Sequence, residues 1–142
     1  VSRVPACPLC DTDGGQVLWR DSFCRVVWVE DACYPGFCRV ILDAHVKEMT
    51  DLASSDRMRL METVFTVEAA VREVARPDKI NLASLGNVVP HVHWHVIPRW
   101  RDDRHFPDAV WAVPRREGAI ANPMAHADIR SRLRDRLAAL LD

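Results

Sequence analysis

Histidine recurs at every second position in His91-Val92-His93-Trp94-His95-Val96-Ile97-Pro98, which places three of the chain's six histidines within five residues. Successive side chains of a strand point to opposite faces, so residues i, i+2 and i+4 share one face while Val92, Trp94 and Val96 occupy the other. Same-face neighbours follow at roughly 6.5–7 Å, so the spacing predicts three imidazoles in a row, with the apolar side chains turned to a core. Imidazole is neutral yet easily charged near neutrality, so such a row can supply a nucleophile, a proton and a positive contact together. Two other readings stand beside this one: a chance cluster on a solvent face, and a metal site, because His-x-His on a strand also suits zinc.

The rest of the chain has to build the platform for that strand. With 142 residues it is long enough for one domain, residues 1–142, with a real core. The 19 basic and 20 acidic residues nearly cancel, so nothing in the balance calls for nucleic acid or an anionic membrane surface, and a phosphate site would have to be local. No apolar run approaches the ~20 residues of a membrane span, and the N-terminus lacks a charged head followed by an apolar block. A soluble, cytoplasmic protein is the expectation. Five cysteines without a small-disulfide-scaffold spacing agree with a reducing compartment, as thiols or metal ligands.

Gln16–Arg20 and Phe23–Glu30 read as strands joined at Asp21-Ser22, and Gly36–Leu42 as a third announced by Pro35-Gly36, all rich in Val, Ile, Trp and Phe. Cys24, Cys33 and Cys38 read as small buried hydrophobes in or beside them. From Ser54 to Ala75 the period changes from two to about 3.6, and Leu60, Val64, Val67, Val71 and Val74 define one helical face. Ser54 or Ser55 is the expected cap, Asp56 suits the dipole, and Pro77 stops the helix. Met58 and Met61 read as gap-fillers. Ile80–Ser84 is a fourth strand before the histidine strand. Phe106–Glu117 looks irregular, a flap or a partner contact. Asn122-Pro123 opens a last helix to Leu141, whose stripe Ile129, Leu133, Leu137, Leu140, Leu141 must be covered, by the same domain or in a dimer.

Several residues outside the row carry chemistry. Cys7-Pro8-Leu9-Cys10 is half a tetrahedral zinc site and needs two more ligands; a redox pair is weaker, because that chemistry places its first thiol at a helix start, and two ordinary loop cysteines is the plain alternative. Asn81 and Asn87 can offer N–H donors to a phosphate, with Gly86 allowing close approach, or can simply hydrogen-bond a local turn. Arg99 and Arg101 could fork onto outer phosphates and Trp100 cover a base, against the alternative of a solvated charge run.

His-Val-His-Trp-His-Val-Ile resembles the signature of the histidine-triad (HIT) family, and Pro98-Arg99 continues as in its dinucleoside-polyphosphate-hydrolysing branch. Asn81-Leu82-Ala83-Ser84-Leu85-Gly86-Asn87 resembles that family's phosphate-binding approach, and Tyr34-Pro35-Gly36-Phe37-Cys38-Arg39-Val40-Ile41-Leu42 followed by His45 resembles its Pro-Gly-His turn and strand. The match runs from Cys7 to Arg101. It implies an α+β, HIT-like fold: an antiparallel sheet of about five strands, one long helix across it, a C-terminal helix at residues 122–141, and a homodimer. It implies hydrolysis or transfer at adenine nucleotide phosphoanhydrides, diadenosine polyphosphates first, through a nucleotidyl-histidine. His93 would be the nucleophile, His95 the α-phosphate contact and proton carrier, and His91 the orienting residue. Structural zinc would be held by Cys7, Cys10, His45 and His91. Asp31, or Glu30, would contact ribose, with Asn81, Asn87 and Arg99 on phosphates. The chain departs from the pattern at Phe37, where many members have histidine, and at Asn87-Val88, where many have Gln then Ser or Thr. The competing functions are a metal-dependent hydrolase using the row as ligands and a nucleotide-binding regulatory module with little turnover.

Overall fold

The computed structural model describes residues 1–142. Five antiparallel strands form one sheet in the order β1-β2-β3-β5-β4: β1 (Gln16–Arg20), β2 (Cys24–Trp28), β3 (Cys38–Leu42), β4 (Lys79–Ala83) and β5 (His93–Arg99). A one-turn helix α1 (Pro8–Asp11) precedes them, α2 (Ser54–Ala75) lies between β3 and β4, and α3 (Pro123–Leu141) closes the chain. The fold is the α+β arrangement expected from the sequence.

Strand alternation divides the sheet. On one face Cys24, Val26, Cys38, Val40 and Val96 meet Leu60, Val64, Val67 and Val71 of α2 in the main core. Each of the valine and leucine side chains among them, removed from water, contributes about 1.5–3 kcal/mol before entropy is counted. Val74, at the end of the predicted stripe, is only half-buried, while Thr63 and Ala70 join the buried set. The expected serine cap is not used: Ala53 is the capping residue and makes no side-chain bond, since Ser54 and Ser55 already lie within the helix. The far end closes with Arg76 in the left-handed region at φ 51°, its N–H donating to the Arg72 carbonyl, just before Pro77. Met58 is 69 % exposed and fills no gap; Met61 packs against the core.

Leu133 and Leu137 of α3 are buried in the same core, with Ile129 and Leu141 packed on it, so this helix docks on its own chain. Asn122 caps it by accepting the Met124 N–H. Cys24 and Cys38 are buried, and burial pushes both thiols up to about 12, as suits small core hydrophobes. No helix is long and apolar enough to cross a membrane.

The other sheet face carries the chemistry. Its register pairs Ile41 with His93 and Arg39 with His95. At one end α1 lays Cys7, Leu9 and Cys10 on Val27 and Ile41; at the other, Tyr34 and Phe37 pack on Ile97. The middle is left open.

Candidate functional site

β5 begins at His93, so the predicted row of three is a row of two. His93 and His95 stand on one face with ring centroids 5.1 Å apart, whereas His91 sits in the turn before the strand, 1 % exposed. The backbone bonds differently here: the His91 N–H donates to Val89 O in its own turn and the Val92 N–H to Val46 O, after β3.

Backbone carbonyls assign the tautomers, because a carbonyl can only accept. His91 Nε2 lies 2.6 Å from Leu42 O and must be its N–H, which leaves a bare lone pair on Nδ1. That Nδ1 is 3.5 Å from Cys7 Sγ and 3.6 Å from Cys10 Sγ, while His45 Nδ1 is 3.5 Å from Cys10 Sγ. One ligand atom from each of the four residues lies within 4.8 Å of the others. Tetrahedral zinc at about 2.0–2.3 Å sets its ligand atoms roughly 3.3–3.8 Å apart, so this donor set fits such an ion. Burial raises the Cys10 thiol pKa, with the neighbouring Cys7 adding to it. Cys7 is the N-cap of α1, so the first thiol does sit at a helix start, although the helix is a single turn.

His93 Nδ1 donates in turn to the His91 carbonyl at 2.6 Å, which puts the Nε2 lone pair at the free end of the ring. His95 is buried and neutral: burial, then the nearby His93 and Arg39, pulls its pKa down to about 4. Its Nδ1 has no partner in the chain. Phe37 stands edge-on to it at 6.1 Å, an apolar support at the position where the pattern it departs from has histidine.

Both rings line a pocket of about 410 Å³ with Arg39, Trp111 and the loop Leu85–Val89. Gly86 turns that loop at φ 83°, where a side chain would be strained. Asn87 lines the pocket as expected, and Val88, 93 % exposed, sits beside it. The remaining predicted contacts lie elsewhere. Arg99 is 2 % exposed, bound to Asp103 through Nε (2.9 Å) and a terminal nitrogen (3.1 Å), and its other terminal nitrogen donates to Asn81 Oδ1 at 2.7 Å. Asp103 also accepts from Tyr34 and from the backbone of Trp100, His105 and Phe106. Burial alone would raise its pKa, but these bonds, Arg99 foremost, take it down to about 2. Arg99 and Asn81 therefore belong to a buried polar lock outside the pocket. Asp31 caps the Cys33 N–H at 2.9 Å, the plain turn role, and Glu30 accepts from Trp28 at 3.0 Å. Arg101 is exposed and Trp100 lines a separate hollow with Cys33 and Pro35.

Sequence reasoning missed Arg39 and the placement of Trp111, whose ring is 5.0 Å from His95. A single charge inside the apolar run Cys38–Leu42 was the available signal for Arg39. A second groove, about 450 Å³, lies by α1; of its three arginines Arg20 and Arg25 are paired with Asp13 and Asp43, while Arg3 is exposed.

Comparison with known proteins agrees with this fold. The family model described as HIT domain matches residues 13–102. The bis(5'-nucleosyl)-tetraphosphatase (asymmetrical) of Schizosaccharomyces pombe is 29 % identical over 115 residues, 77 % of this chain and 63 % of that one. An AP-4-A phosphorylase of Mycobacterium tuberculosis is 30 % identical over 78 residues, 51 % of this chain and 40 % of its own length. The matches thus span less than two thirds of both relatives. Among solved structures, a histidine triad protein from Bradyrhizobium japonicum superposes with a TM-score of 0.76 at 27 % identity, covering 88 % of this chain and 92 % of that one.

Proposed function

The chain belongs to the HIT domain family, and from that premise we propose that it hydrolyses adenine nucleotide phosphoanhydrides, dinucleoside polyphosphates first, with His93 as nucleophile. The observation that carries this reading is the 2.6 Å bond from His93 Nδ1 to the His91 carbonyl. It holds the tautomer in which Nε2 is a nucleophile, and it stabilises the positive ring that forms when Nε2 bonds to phosphorus. In the first step the Nε2–P bond forms and the P–O bond to the leaving phosphate breaks; in the second, water attacks phosphorus and the P–N bond breaks. The leaving phosphate departs as its anion, and His95, neutral and 5.1 Å from His93, offers its ring N–H as a hydrogen bond to a phosphate oxygen and its lone pair to pass the attacking water's proton to solvent. The curated relatives act on dinucleoside polyphosphates by their names, which supports the substrate class.

Both nitrogens of His91 are spoken for, one by Leu42 O and the other by the cysteine cluster, so His91 acts on the reaction through its carbonyl. This argues against one catalytic metal shared by the three histidines. Zinc at Cys7, Cys10, His45 and His91 would instead tie the N-terminus to the strand that carries the nucleophile. The open edge of β4 is compatible with the homodimer that the family resemblance suggests, and five free thiols suit a reducing compartment such as the cytoplasm.

The test is rapid-quench mass spectrometry with diadenosine tetraphosphate. Wild type is expected to carry an adenylyl group on His93 during turnover, and His93→Ala to lose both adduct and hydrolysis. Undiminished hydrolysis by His93→Ala would overturn the proposal.

A further inference from the structure

We propose that Arg39 is an anion clamp, a guanidinium that takes a phosphate oxygen of the nucleotide seated against His93 and His95. This rests on reading the pocket as a nucleotide site, and it assigns the charge that the site uses.

Four arginines project from this sheet face, and three are satisfied by the protein. Arg20 on β1, across the ladder from Arg25, pairs with Asp13. Arg25 on β2 pairs with Asp43 at 2.7 Å and donates to the carbonyls of Leu9, Thr12 and Asp13. Arg99 on β5 is forked onto Asp103. Arg39, between them on β3, has no ion pair; its single hydrogen bond is a long one, 3.3 Å from a terminal nitrogen to Gly14 O. Its Nε is buried without a partner. The pocket it lines has no carboxylate in its wall. Burial pulls its pKa down, the mark of a cation short of compensation.

A half-buried guanidinium without a counter-ion costs stability, and the fork of unused N–H groups matches phosphate oxygens. With Arg99 withdrawn into the lock and His95 neutral, Arg39 is the fixed cation of the pocket. Its position across the ladder from His95 sets it beside the reacting groups. The oxygen it takes belongs either to the phosphate transferred to His93 or to one farther out; the chemistry is the same.

The experiment compares wild type, Arg39→Met and Arg39→Lys by calorimetric titration with AMP and with ATP, alongside thermal unfolding without ligand. Loss of a charged hydrogen-bonding partner should weaken binding roughly tenfold to hundredfold in Arg39→Met, with part of the affinity restored in Arg39→Lys. The ligand-free Arg39→Met protein should melt at the same temperature as wild type or higher, which a structural role would not allow. Equal loss for both nucleotides assigns the transferred phosphate, and loss for ATP alone assigns an outer one. Unchanged affinity for both nucleotides, no binding by wild type, or a weakening accompanied by a lower melting temperature would overturn the clamp. Hydrolysis of diadenosine tetraphosphate is scored separately. Nucleotide binding through Arg39 without turnover leaves the clamp standing and removes the hydrolase, whereas turnover with an unchanged kcat/KM in Arg39→Met does the reverse.

Discussion

Lowering the pH from 7 to 4.5 should destabilise this protein through His95. The ring is 6 % exposed, and burial, with His93 and Arg39 nearby, brings its pKa from 6.5 down to about 4. The fold therefore prefers the neutral ring, while the unfolded chain takes up its proton near the ordinary value. Stability from this group is complete above pH 6.5 and is lost as the pH falls toward 4, because the unfolded state then binds more protons. At pH 4.5 the difference amounts to about 2.5 kcal/mol. Asp103 does not interfere, since its pKa of about 2 places its own loss below pH 3.8. His91, also lowered by burial, contributes in the same window, so the comparison is with His95→Gln, which keeps His91 and cannot titrate at position 95. Urea unfolding at pH 7, 5.5 and 4.5 should show the wild type losing about 2.5 kcal/mol more than the variant. Parallel loss in the two proteins would refute a ring kept neutral by burial, and with it the role of a neutral proton carrier.

Three further outcomes follow from the same geometry. Arg99→Met strands Asp103 among its remaining donors and should lower stability by about 3–5 kcal/mol, read as a fall in melting temperature. If the purified protein carries zinc, it should show one ion per chain by elemental analysis, and Cys10→Ser or a chelator should lower the melting temperature. Protein that remains folded should still form the His93 adduct. Trp111→Ala removes a ring half exposed at the pocket beside His95 and should weaken AMP binding by about 1–3 kcal/mol, measured by calorimetry.

Much of the fold was legible because periodicity is a local property. The limits of α2 agree at both ends, Ser54 and Ala75, since the change of period and Pro77 lie in the segment itself. The strands were legible for the same reason, and their ends shifted by a residue or two where turns, not alternation, decide them. The ligand roles were less legible. Asn81, Arg99 and Asp31 have residue types suited to a nucleotide, yet Arg99 met Asp103 and Asn81 first, and Asp31 met its own turn. A residue's type states what it can bond; only its neighbours state whether that capacity is already used.

Sequence alone determined the sheet, the long helix, the family resemblance and the pair His93–His95, because alternation places their side chains on one face of one strand. Tertiary structure decided that His91 lies off the strand, against Cys7 84 residues away as the resemblance implied, and that of four arginines on one sheet face Arg39 lacks a counter-charge. Those outcomes depend on which distant segments fold against β3 and β5. A hydrogen bond or ion pair exists only where its partner arrives within about 3 Å, and no local pattern contains that distance.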